Sequence, residues 1–310
     1  MTGYFVRRFL WMIPVLLFIA IITFSLMHLV PGGPFEPGET KASEPGRQAL
    51  IQKYHLNEPV YVQFFYWMRD VLHGDFGPDL VVQGTSVNRL LKQSWKPTIA
   101  LGLLATIYAG TVGYLLGLLA SIKRNSLLDY FSVGFATVGA AAPNFVLGII
   151  LVVIFAVRLR WVPAIGWATG PTDIRPVILP VIALGSLSAS YIARVTRASM
   201  LEVMHQDYIR TARAKGLSER VVLMRHIVRN GMIPVLTLLG PIAAALLTGS
   251  FIIEQFFSIP GIGRAYVQAI IGRDYPMIMA TTLIYGAAIS VANLVVDATY
   301  AIFDPRIRYS

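Results

Sequence analysis

Six long apolar segments dominate the sequence, at 9–30, 98–121, 131–157, 177–197, 233–253 and 277–303. The hydrocarbon core of a bilayer needs about 20 mostly apolar residues per helix, so each segment is long enough to cross it. None shows the strict alternation of a barrel strand. The chain is therefore expected to be an all-α integral membrane protein with six transmembrane helices. Composition agrees, with 55% hydrophobic and only 14% charged residues, where a soluble domain carries about a quarter charged. There is no cysteine, which excludes disulfides and thiol catalysis. The first segment follows Arg7 and Arg8 as a signal peptide would. Its apolar run is longer than a cleaved h-region and "LMHLVPGGP" offers no A-x-A-like site, so it reads as a retained signal-anchor helix.

Charge sets the expected orientation. With six spans, both termini and the segment 198–232 share one side, which holds fourteen Lys and Arg against five in the short loops opposite. Lys and Arg mark the cytoplasmic side, so the termini and 198–232 are expected there. The same bias accounts for most of the net charge of +10 without a nucleic-acid partner. The organisation expected is residues 1–30 as the N-terminal end and span 1, 31–97 as an external insertion, 98–303 as the core with spans 2–6, and 304–310 as a cytoplasmic tail. In the insertion, Tyr61, Phe64, Phe65, Met68 and Leu72 fall at helical spacing on one face. That pattern fits a helix lying at the membrane interface, and equally a cap that touches an extracytoplasmic partner.

The loop 198–232 is charged and rich in helix formers, with "DYIRTARAKGLSERVV" at its centre. Gly216 sits where a helix would end and Ser218 where the next would be capped, giving helix, tight turn, helix. Positive-inside bias explains the arginines but not the small residues. Thr211, Ala212, Ala214 and Gly216 would present a low-profile face to a partner's groove, with Arg210 and the other cations available for ion pairs around it.

At this point the sequence resembles a known family. "YIRTARAKGL" followed by "RHIVRN" and Pro234 is similar to the cytoplasmic EAA loop of ABC importer permease subunits in its peptide-permease variant, with Arg210 where the general motif has Glu. "RRFLWMIPVLL", "LVPGGPF", "YHLNEPV", "HGDFGPD", "IEQFFSIPGIGR" and "AIFDPRIRYS" resemble, in order, further motifs of the B-type subunit of oligopeptide and dipeptide permeases. The resemblance implies the type I ABC importer permease fold, in a bacterial cytoplasmic (inner) membrane. It implies pairing with a homologous C-type permease, two ATPase subunits that bring ATP and magnesium, and an extracytoplasmic peptide-binding protein. It makes Tyr208, Arg210, Thr211, Ala212, Ala214, Lys215, Gly216, Leu217 and Glu219 the expected ATPase-docking residues.

No chemistry is expected within the chain. There is no G-x-x-x-x-G-K-[ST], so ATP must be bound elsewhere, and the five histidines lack metal-ligand spacing. No cofactor is expected here. Pro143 and Asn144 in "GAAAPNF" are expected to kink the third span, either for packing alone or to shape a path. The motif resemblance adds Glu254, Pro260, Gly261 and Gly263 as gate or path residues. "GYLLG", with Gly113 and Gly117, reads as close helix packing. The function expected is half of the translocation path of an ATP-driven importer of oligopeptides. The same machine could carry dipeptides, glutathione, nickel or another small solute. A self-sufficient secondary transporter would want paired inverted repeats, which the sequence does not show.

Overall fold

A computed structural model describes residues 2–29, 57–80, 84–167 and 173–303. Residues 30–56 and the 304–310 tail lie outside it, as do the expectations attached to them. The described residues are helical, apart from turns and one isolated bridge between Pro78 and Ser86. In chain order the helices are α1 (Thr2–Leu29), α2 (Val60–Leu72), α3 (Val87–Ile122), α4 (Leu127–Ala141) and α5 (Asn144–Leu151), which continues as a π-helical stretch Val152–Arg158. There follow α6 (Arg175–Met204), α7 (Asp207–Ala214), α8 (Glu219–Gly231, wound as a π-helix over Val222–Val228) and α9 (Ile233–Leu247). The last are α10 (Phe251–Phe256), α11 (Ile262–Ile271) and α12 (Tyr275–Phe303).

By length and composition, four helices can cross a membrane: Val6–Leu29, α3, α6 and Tyr275–Asp297. The number rises to six if each of two bent pairs counts as one span, α4 with Asn144–Arg158 and α8 with α9. The bend between α8 and α9 is 44°, but that between α4 and α5 is 117°. The third apolar segment is therefore broken, where the sequence suggested a kink. Proline accounts for the break. Its ring pushes the preceding residue out of the helical region, and Ala142 sits at φ −85°, ψ 129°. A new helix starts at Asn144, with the Pro143 carbonyl accepting from Val146 N at 2.9 Å. The fifth segment also ends early. Gly249, at φ +87°, turns the chain after α9, and Ser250 caps the separate α10 by accepting from Ile253 N at 3.3 Å.

The chain divides into two compact units, one of residues 1–98 and 260–294 and one centred on 99–259. In the first, Phe24 and Met27 of α1 pack with Val87, Leu91, Ala269 and Met277–Ala280, and α2 lays Phe64, Trp67 and Met68 against this cluster. Long-range hydrogen bonds help pin the unit. Tyr275 Oη donates to the Met27 carbonyl at 2.9 Å, and Ile262 N donates to Thr98 Oγ1 at 2.9 Å.

In the second unit α6 is the central helix, with 61% of its most apolar stretch buried against 11% for α1. Lipid is as apolar as leucine, so helices in a membrane associate through close packing rather than hydrophobic exclusion. Glycines supply the closeness. A Cβ on Gly113 would lie 2.9 Å from Ile192 Cβ, one on Gly117 2.6 Å from Thr196 Cβ, and one on Gly185 2.8 Å from the Ala105 carbonyl oxygen. The "GYLLG" stretch is thus the seam between α3 and α6. Gly139 does the same for α4, resting on Ser190.

Candidate docking loop

The loop between α6 and α9 begins where α6 stops at Met204. Gln206 takes an extended conformation and α7 restarts at Asp207, whose carboxylate suits the positive end of a helix. Two turns later α7 ends in a Schellman turn. Gly216 N donates to the Arg213 carbonyl at 2.9 Å, and Leu217 N donates to the Ala212 carbonyl at 3.3 Å. Gly216 has φ +79°, the left-handed conformation that side-chain-bearing residues reach only at a cost. The turn expected at this glycine is present. Ser218 stands at the start of α8, but its side chain makes no cap; its carbonyl accepts from Val221 N and Val222 N at 2.9 and 3.0 Å.

Ile209 and Ala212, three residues apart and hence on one face, are buried with Met200, Val222 and Ile227. This small core seats α7 on the end of α6 and on α8. Gly231 lets α8 close on α6, since a Cβ there would lie 2.5 Å from Met200 Sδ. Asn230 Nδ2 donates to Tyr208 Oη at 3.1 Å. Arg213 forks onto Glu219, Nε to Oε1 at 2.8 Å and Nη2 to Oε2 at 3.2 Å, and so clips α7 to α8 across the glycine turn. The Arg210–Asp207 pair, at 3.6 Å and fully in solvent, is worth about 0–1 kcal/mol.

One expectation needs correcting. Ala212 faces the chain's own core and is not available to a partner. Tyr208, Arg210, Thr211, Ala214, Lys215, Gly216, Leu217 and Glu219 are all exposed. Together with Arg213, Arg220, Arg225 and Arg229 they form a basic surface containing small residues, carried on a two-turn helix with its inner face fixed. The arrangement offers hydrogen-bond donors and a low contour, and it holds no catalytic constellation. Among the described residues no group of three or more His, Asp or Glu is placed to hold a metal.

The remaining residues singled out in the sequence are dispersed. Pro143 and Asn144 form the α4–α5 break. Glu254 is fully buried on α10. Gly148 of α5 packs on Phe256 and Phe257, its would-be Cβ 3.4 Å from each, so the second leg of the broken helix leans on the segment that carries Glu254. Pro260 is exposed, while Gly261 and Gly263 are buried at the start of α11, in the other unit.

The pair Asp129–Arg197 was not legible in the sequence. Asp129, in the first turn of α4, accepts from Arg197 Nε at 2.8 Å, Arg197 Nη2 at 2.9 Å and Asn125 N at 3.0 Å. Its side chain is 5% exposed and that of Arg197 31%. Arg194 Nη1 donates to the Ala136 carbonyl at 3.2 Å. These bonds fasten α4 to α6 just above the core that seats α7. The stretch "SLLD", Ser126 to Asp129, has the form of a capping signal and could have located the start of α4.

Comparison with known proteins gives consistent results. Residues 113–309 match the family described as binding-protein-dependent transport system inner membrane component, and residues 1–95 match its N-terminal counterpart. The dipeptide transport system permease protein DppB of Bacillus subtilis is 40% identical over 308 residues, covering 99% of this chain and 98% of the relative. The oligopeptide transport system permease protein OppB of Salmonella typhimurium is 40% identical over 310 residues, covering all of both chains. Among solved structures, the MetNI methionine ABC transporter in an inward-facing conformation superposes with a TM-score of 0.53 at 16% identity, over 69% of this chain and 96% of that one.

Proposed function

Because the chain belongs to the family of binding-protein-dependent transport system inner membrane components, we propose that it is the membrane permease subunit of an ATP-driven peptide importer and forms half of the translocation path. The loop 207–231 carries the reading. A charged, small-residue helix seated on its own core and joined to the central helix α6 is suited to receive force from a partner and pass it into the membrane. The chain has no phosphate-binding loop, so ATP and magnesium belong to two partner ATPase subunits that dock on the exposed residues of α7 and its turn. Catalysis is theirs. The other half of the path is a homologous C-type permease, and an extracytoplasmic peptide-binding protein delivers the substrate. Pro143, Asn144, Glu254, Pro260, Gly261 and Gly263 are the path or gate residues of this reading.

Substrate class and energy source are tested together. Proteoliposomes containing the assembled complex and binding protein should accumulate labelled peptides only with hydrolysable ATP, and a series of graded length sets the preferred size. Accumulation by this chain alone on a proton or sodium gradient would overturn the reading in favour of a secondary transporter.

Orientation is part of the proposal, with both termini and the 198–232 segment in the cytoplasm. The support is the fourteen-to-five distribution of Lys and Arg. Reporters fused after Ser310 or within 215–218 should be cytoplasmic, and one at 74–76 external. An external reporter at Ser310 would reverse the topology.

A further inference from the structure

The five apolar residues that the sequence places on one face of α2 are divided in the structure, part of that face packing inward and part staying uncovered. Phe64, Trp67 and Met68 turn inward onto the cluster around Phe24 and Met277. On the outer face Tyr61, Phe65 and Leu72, at helical spacing along one stripe, are 75%, 67% and 79% exposed. Arg69 lies at the edge of that stripe, its guanidinium 5.1 Å from the Tyr66 ring centroid and paired with Asp70 at 3.1 Å. Leaving such a stripe in water is unfavourable in proportion to its apolar area.

The position of α2 on α1 indicates what covers it. The Phe64 ring lies 5.3 Å from that of Phe24 and the Trp67 ring 6.3 Å, while Gln63 Oε1 is 3.3 Å from His28 Nε2. These contacts all fall on the last turns of α1. At the same level α1 exposes Leu26 and Leu29, and its apolar run ends at Val30, before Pro31. The outer stripe of α2 is thus continuous with the lipid-facing surface of α1 where that surface meets the headgroups. The composition fits this depth. Aromatic rings favour the membrane–water boundary.

We propose that α2 is a membrane-interface helix, with Tyr61, Phe65 and Leu72 inserted at the headgroup–acyl boundary and the Arg69–Asp70 pair on its aqueous side. The helix then fixes the depth of α1 and of the insertion in the leaflet. This inference does not depend on which solute is carried.

The absence of cysteine allows a direct test. Single cysteines replacing Phe65, on the stripe, or Asp70, on the opposite side of the helix, are labelled with an environment-sensitive fluorophore. The labelled transporter is assembled in nanodiscs with partner subunits cleared of cysteine. The label at 65 should be blue-shifted and quenched severalfold more by lipids brominated near the headgroup than by aqueous iodide, and the label at 70 should show the reverse. Equal iodide quenching at both positions overturns the proposal by placing the stripe in water. Protection of position 65 from both quenchers also overturns it, because protein then covers the stripe. Leu72→Cys, at the far end of the stripe, provides the same readout should Phe65→Cys fold poorly.

Discussion

Gly216→Val is expected to reduce peptide uptake at least tenfold while leaving the permease inserted and paired with the C-type partner proposed above. The position is constrained by torsion and not by space. At φ +79° a Cβ would meet nothing within 4 Å, so the penalty comes from the backbone. A left-handed residue costs about 1–2 kcal/mol, roughly a tenfold change in an equilibrium, and a β-branched residue is an outlier there. Relieving that strain breaks the bonds from Gly216 N and Leu217 N to the end of α7, and with them the Arg213–Glu219 clip. The small core of Met200, Ile209 and Val222 loses its closing turn, whereas the spans lose nothing. Gly216→Asn, whose side chain tolerates this region, should keep most of the uptake. The check is ATPase pull-down beside peptide uptake for the three proteins. Full uptake by Gly216→Val would show that α7 is only a charged loop. Ala212→Asp is expected to act by another route. It places a carboxylate in the core beneath α7, so it should damage the loop from within, where the sequence alone suggested a surface effect.

Arg197→Ala is expected to give the largest loss of stability. The Asp129 carboxylate would remain buried with a single backbone donor, and removing one partner of a buried pair costs on the order of 3 kcal/mol. Arg197→Lys should recover part of that, because an ammonium supplies charge without the two-pronged geometry. Asp129→Asn should fall between, since the amide oxygen still accepts one bond and no bare charge is buried. Thermal unfolding of the solubilised complex ranks the series. A transition temperature for Arg197→Ala equal to that of the parent would remove the pair from any account of how α4 is held to α6.

How much the sequence reveals depends on the range of the interaction. The Gly216 turn is local, set by one residue type and its neighbours, and it appears where the sequence places it. The Gly113–Gly117 seam was legible for the same reason, as a spacing of four on a helix. Ala212 was misjudged because which face of a two-turn helix points inward is set by Met200, Val222 and Ile227, not by α7 itself. The pairing of Ile209 with Ala212 at a spacing of three was the available hint. Pro143 announced an interruption, but its 117° angle is set by what α4 and α5 pack against, Ser190 on one side and Phe256 and Phe257 on the other. Asp129 and Arg197 are 68 positions apart and share no local pattern.

The break at Ala142 and Pro143 has a further consequence, for the solvent around it. α4 has 15 residues, a length of about 22 Å at 1.5 Å per residue, and the second leg is no longer. Neither leg alone reaches across a hydrocarbon layer about 30 Å thick, so where the bent pair enters the membrane its interruption lies within it. Acyl chains offer no donors to the carbonyls that a helix leaves open at its end, and irregular backbone persists at that depth only against protein or beside water. Ala141 and Pro143 are exposed on the single chain. A lone copy in lipid would therefore be poorly solvated at its own midpoint, and the bilayer itself favours its finding a neighbour or a flooded cavity.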